Sequence, residues 1–152
     1  MFKYYKGIVL LAVCLFTGAG TAQALSVFDD GDRIVYLADN PNLVRGENAY
    51  DEGNYELSIK LFTRALDSRI KGKQLASVHN AICAANNALG NHHEALKQCS
   101  LALESENQYW MAFINRGNAN KALGHKKEAY KDYCLARDIA PNKVSGSFTQ
   151  YC

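Results

Sequence analysis

Three stretches of this chain repeat one spacing of small and large positions. Ser58, Phe62 and Ala65 form the first set, Ala95, Cys99 and Ala102 the second, and Ala129, Tyr133 and Ala136 the third. Tyr55, His92 and Lys126 stand three positions ahead of their sets. Offsets of three, four and three keep all four side chains on one face of an α-helix. The small residues let a neighbouring helix approach, and the larger one between them fills the space toward the next unit. Each set follows a short turn, Gly53-Asn54-Tyr55, Gly90-Asn91-His92 or Gly124-His125-Lys126. Gly46, Cys83 and Gly117 lie seven residues before the turn glycines, which puts a small residue on a preceding helix where two helices cross. The second and third turn glycines are 34 residues apart and the first and second 37, so about three extra residues lie between the first two units.

Local chemistry then sets the limits of six helices, near 41–52, 56–70, 74–88, 92–104, 108–122 and 126–139. Asn40 before Pro41 combines an N-cap with proline at the first helical position. Asn91 with Glu94 has the spacing of a capping pair for the fourth helix. Gly72 offers a stop for the second helix, and Pro141 follows the sixth.

The spacing resembles the tetratricopeptide-repeat (TPR) family over about residues 39–143, whose period is about 34 residues. The third copy carries most of the resemblance, with Phe113, Gly117, Gly124, Ala129, Tyr133, Ala136 and Pro141 on signature positions. It implies an all-α fold, a right-handed α-solenoid of three helical hairpins with repeats near 39–72, 76–109 and 110–143, and a concave inner face. There are departures. Ala49, Asn86 and Asn120 replace the usual aromatic at the eleventh position, and Asn42 and His79 stand where the third copy has Phe113.

In this family the inner face, lined by the first helix of each repeat, binds the partner. By position the resemblance nominates Leu43, Glu47, Tyr50 and Asp51 from the first copy. Ser77, Asn80, Ala84 and Asn87 follow from the second, and Met111, Ile114, Asn118 and Lys121 from the third. Side-chain amides both donate and accept, so Asn80, Asn87 and Asn118 suit the backbone of an extended peptide, with Tyr50 and Met111 for apolar contact. The plain alternative is a solvated helix face without a ligand. Chaperone-binding members hold a peptide's terminal carboxylate in a clamp of lysine, asparagine and arginine. The equivalent positions here are Leu43, Glu47, Ala81, Met111 and Asn115, so the clamp is not expected.

The ends change the picture more than the composition does. Lys3 and Lys6, an apolar run from Gly7 to Phe16, and Ala22-Gln23-Ala24 read as a cleavable signal peptide over residues 1–24. The run is too short for a transmembrane helix, which needs about 20 residues. Cleavage near Ala24 would send the chain to the periplasm or outside the cell, followed by a lead-in segment over 25–38. It would leave fifteen basic and fifteen acidic residues, with none of the basic excess that nucleic acid or an anionic membrane calls for.

It would also leave four cysteines, Cys83, Cys99, Cys134 and Cys152, an even number that permits three pairings. Sequence order favours Cys83 with Cys99 and Cys134 with Cys152; free thiols buried in a helical core are the alternative.

Catalytic constellations are not found. His92, His93 and Glu94 are adjacent, but successive residues at a helix start diverge, and no further metal ligand is predicted beside them. No C-x-x-C spacing is present, and the one G-x-G, Gly18-Ala19-Gly20, lies in the signal segment. No cofactor and no small-molecule substrate is expected. The tail after Pro141, about 144–152, is too short for a capping helix. It either folds back, tied by Cys134–Cys152 with Phe148 and Tyr151 over the last apolar face, or leaves that face to a partner or second copy. The expectation is therefore an exported adaptor or scaffold that binds a protein or peptide partner in its groove and is not an enzyme. The competing reading is a structural component that self-associates into a homo-oligomer through an uncapped end.

Overall fold

A computed structural model of the chain describes residues 40–144 and Cys152. The signal segment, the lead-in, and Phe148 and Tyr151 of the tail lie outside the described residues. Among the described residues six helices follow one another: α1 (Pro41–Asp51), α2 (Tyr55–Leu66), α3 (Gly72–Ala88), α4 (His92–Ser105), α5 (Trp110–Ala122) and α6 (Lys126–Ile139). Each odd helix packs on the even helix after it, and each hairpin packs on the next through α2 with α3 and α4 with α5. Helices α3 and α5 also touch. The result is an all-α solenoid of three hairpins.

The hairpin turns are three copies of one device. Gly53, Gly90 and Gly124 have φ of 77°, 78° and 83°, a region open to glycine at little cost. The N–H of Asn54 donates to the Ala49 carbonyl and that of Gly53 to Tyr50. Asn91 to Asn86 with Gly90 to Asn87, and His125 to Asn120 with Gly124 to Lys121, repeat this pair. This Schellman closure satisfies carbonyls that the end of a helix otherwise leaves bare.

The small-residue positions also share one geometry. A Cβ added to Gly46 would lie 2.9 Å from the Phe62 ring, and one added to Gly117 would lie 2.5 Å from the Tyr133 ring. In both outer hairpins, then, a ring from the second helix rests on the bare backbone of the first. The middle hairpin has Cys83 and Cys99 at these places, and they form a disulfide with Cα atoms 5.4 Å apart. Cys134 and Cys152 form the other disulfide. Both pairings are those that sequence order favours.

Some helix limits differ from expectation. Helix α2 ends at Leu66 instead of running to residue 70, with Asp67 and Ser68 closing its last turn onto Arg64 and Ala65. Gly72 does not stop α2; it opens α3 with φ of 52°. The three extra residues between the first two units therefore extend a link, held where Asn40 Nδ2 donates to Ser68 Oγ at 2.9 Å. Helix α5 begins at Trp110 instead of 108, after Tyr109 turns onto the Glu106 carbonyl. The Asn91–Glu94 capping pair does not form. Asn91 reaches back to Asn86, and Glu94 accepts from Gln98 at 2.8 Å. Asn40 does cap α1, accepting from the Asn42 N–H at 3.0 Å.

Candidate binding face on the inner helices

Helices α1, α3 and α5 form the inner row, and the structure places the nominated residues along it unevenly. Leu43, Glu47, Tyr50, Ser77, Asn80, Ala84, Met111 and Ile114 are buried, Asn87 and Asn118 half-buried, and Asp51 and Lys121 exposed. Their polar groups are largely committed to the fold. Asn115 Nδ2 donates to Asn80 Oδ1 at 2.9 Å, and Asn87 Nδ2 donates to the Asn115 carbonyl at 2.8 Å. Together these bonds stitch α3 to α5. Tyr133 donates its hydroxyl proton to Asn118 Oδ1 at 3.0 Å, and Ser77 donates to the Gln74 carbonyl. The sequence offers these amides to a peptide backbone; the structure gives them a first duty in holding the row together. Unpaired buried amides are costly, so this is where polar groups inside a helical stack are expected to go.

The clamp positions are equally enclosed. Leu43, Glu47, Ala81, Met111 and Asn115 are each less than 9% exposed, so they differ from a carboxylate clamp in accessibility as well as in side-chain type. Tyr50 packs edge-on against Tyr55 with ring centroids 5.2 Å apart. Burial, then Tyr55 and then Asp51, push its hydroxyl up to about 12, so it stays a neutral donor at physiological pH.

Sequence reasoning missed one network. Arg116 holds Asp132 through two bonds of 2.9 and 2.7 Å, and Asn120 adds a third at 3.4 Å. Asn120 also faces His125 Nδ1, and Asn86 faces Asn91. The amides that replace the eleventh-position aromatic thus tie each helix end to its own turn. The available signal was that Asn86 and Asn120 recur at one register and precede the turn partners by five residues. His92 and His93 gather no ligand set; among the described residues no three metal-binding side chains come together. Nor, among them, is any helix long and apolar enough to cross a membrane.

No protein-family model matches the chain. Among curated proteins it is 25% identical to human DnaJ homolog subfamily C member 7 over 138 residues, 86% of this chain and 26% of that protein. It is 33% identical to human RNA polymerase II-associated protein 3 over 108 residues, 68% of this chain and 15% of that protein. The chain therefore spans about a quarter or less of the length of these relatives. Its fold matches the second TPR domain of human RPAP3, solved in complex with the HSP70 peptide SGPTIEEVD, with a TM-score of 0.64 and 25% identity over 72% of this chain and 88% of that one. The three hairpins are a TPR domain.

Proposed function

We propose that this protein is an exported adaptor whose TPR domain binds a protein or peptide partner along α1, α3 and α5. The observation that carries the reading is the stacking of three TPR hairpins, with α3 against α5 on the inner side, in a fold whose relative was solved with a peptide bound. Export is supported by the signal-type start through Ala24 and by two disulfides, which an oxidising compartment sustains. The partner is not an acidic chaperone tail of the kind bound by the relative, because Glu47 stands where a carboxylate would need an amide or a cation. Self-association through the last hairpin has less to recommend it, since Val144 is buried in that hairpin's core and Cys152 is bonded to α6.

The test uses the two exposed residues at the rim. In vivo crosslinking in the cell envelope should capture a partner with the wild-type chain and lose it when Asp51→Lys and Lys121→Glu are combined. Both residues are exposed, so the fold should survive, which circular dichroism checks. Unchanged capture would refute the inner-face assignment. Calorimetric titration with SGPTIEEVD should show no saturable binding up to roughly 1 mM; tighter binding would refute the exclusion of acidic tails.

A further inference from the structure

The three hairpin turns share one edge of the solenoid. Each joins an odd helix to the even helix packed on it, and each hairpin stacks on the next, so the turns follow one another in chain order along that edge. Their charges change sign from end to end. Asp51, Glu52 and Glu56 stand exposed around the first turn. The middle turn exposes His93 and Glu94, and the third exposes Lys126 and Lys127.

The two ends are charged against their own helices. Asp51 is the last residue of α1 and Glu52 its C-cap, where the helix dipole favours a cation. Lys126 and Lys127 are the first two residues of α6, where it favours an anion. Among the described residues none of these four takes part in an ion pair. A sequence that served only these helices would carry the opposite signs. Two hairpin steps of about 8–10 Å set the first and third turns roughly 20 Å apart, well beyond the Debye length of about 8 Å at physiological salt. One chain therefore leaves both ends of its own edge unneutralised. Between them the edge is apolar, with Ala88 and Ala122 exposed and the C-caps Leu89 and Leu123 half-buried.

An edge that runs from acidic through apolar to basic is complementary to its own reverse. We propose that this edge pairs with the same edge of a second copy about a two-fold axis at the middle turns. Asp51, Glu52 and Glu56 of each copy then face Lys126 and Lys127 of the other, and the Ala88–Leu89 patches meet near the axis. Such a contact is isologous and closes at two copies. The parallel alignment would set like charges together. The pairing uses the turns, leaves the end of the stack free, and holds whether or not the inner face has a ligand.

Sedimentation equilibrium of the exported chain tests it. At low ionic strength, about 20 mM, the chain should dimerise with a Kd of about 100 µM or tighter, and in about 500 mM salt it should be monomeric. Lys126→Glu with Lys127→Glu should weaken the low-salt dimer at least about tenfold. Adding Glu52→Lys and Glu56→Lys to the same chain should restore it, because the edge is then complementary with its signs exchanged. The reversals at 126, 127 and 52 suit the helix dipoles better than the native residues do, so the variants should fold, which circular dichroism checks. A monomer at low salt, a charge-reversed chain that dimerises like the wild type, or a failure of the exchanged chain to recover would each overturn the proposal. So would species that grow beyond the dimer with concentration, which would mean an open head-to-tail chain. A photoreactive benzoylphenylalanine in place of His93 locates the axis. Crosslinks to the middle hairpin of the second copy support the two-fold pairing, and crosslinks confined to its outer hairpins overturn it.

Discussion

The middle hairpin and its two neighbours solve one packing problem by different chemistry. Where the paired helices cross, Gly46 meets Phe62 and Gly117 meets Tyr133, an aromatic ring laid on bare backbone. Between them Cys83 meets Cys99 across a covalent bond. All three pairs are sixteen residues apart in sequence. The ring solution draws on apolar burial and close packing, which act on the folded state. The disulfide brings far less volume to the crossing and acts mainly by restricting the unfolded chain. The same register thus accepts either a well-filled contact or a tether.

The comparison is most severely tested by removing a ring. Tyr133 is 1% exposed, and Tyr133→Ala empties its site and strips Asn118 of its donor. The expected loss is about 3–5 kcal/mol of unfolding free energy in urea titrations. Phe62→Ala should fall in the same range without the hydrogen-bond component. A loss below 1 kcal/mol at either site would mean that the ring contributes little to the crossing.

Removing the tether should cost somewhat less. A closed loop of this size predicts about 3 kcal/mol for Cys83→Ala with Cys99→Ala. A sharper variant replaces the middle solution by the outer one, Cys83→Gly with Cys99→Tyr. It should recover part of the loss and make the middle crossing indifferent to reductant. If the transplant were less stable than the double alanine variant, the two solutions would not be interchangeable at this register. The two disulfides should also part in order of exposure. Cys83 and Cys99 are fully buried, whereas Cys134 is half-buried and Cys152 exposed. Stepwise reduction with alkylation and mass mapping should therefore label Cys134 and Cys152 first.

Smaller again is the cost of adding a methyl group beneath each ring. Gly117→Ala and Gly46→Ala force the rings to shift, at about 1–3 kcal/mol. The added Cβ is closer at Gly117, 2.5 against 2.9 Å, so thermal melts should rank it the more damaging.

These contacts also mark what the sequence could and could not reveal. The turn glycines and the small residues at 46, 83 and 117 are written as residue types at a fixed period, so they were legible, whereas the cysteine partners were favoured by sequence order alone, with free thiols as the alternative. The end of α2 was not, because the three extra residues between the first units can lengthen a helix or a link with equal local propensity. The link was selected by a contact 28 residues away, Asn40 with Ser68. The inner face was only partly legible for a related reason. An asparagine on a helix looks alike whether it awaits a ligand or bonds a neighbouring helix, and only the stacking of α5 on α3 commits Asn80 and Asn87.

The smallest expected effect concerns the turn side of the same hairpins, where the solutions again diverge. Tyr50 meets Tyr55 ring to ring, and the corresponding Asn87 and His92 of the middle hairpin instead face each other at 3.3 Å. Because burial raises the Tyr50 hydroxyl to about 12 from its ordinary 10, the folded chain keeps that proton where the unfolded chain has lost it. Stability from this group is thus complete below pH 10 and declines as pH rises from about 10 to about 12. Tyr50→Phe carries no such proton. Its melting temperature should fall less steeply than the wild type's over that window, while the two remain parallel between pH 7 and 9. Parallel curves throughout would mean that Tyr50 is as open to solvent as the exposed face of its helix.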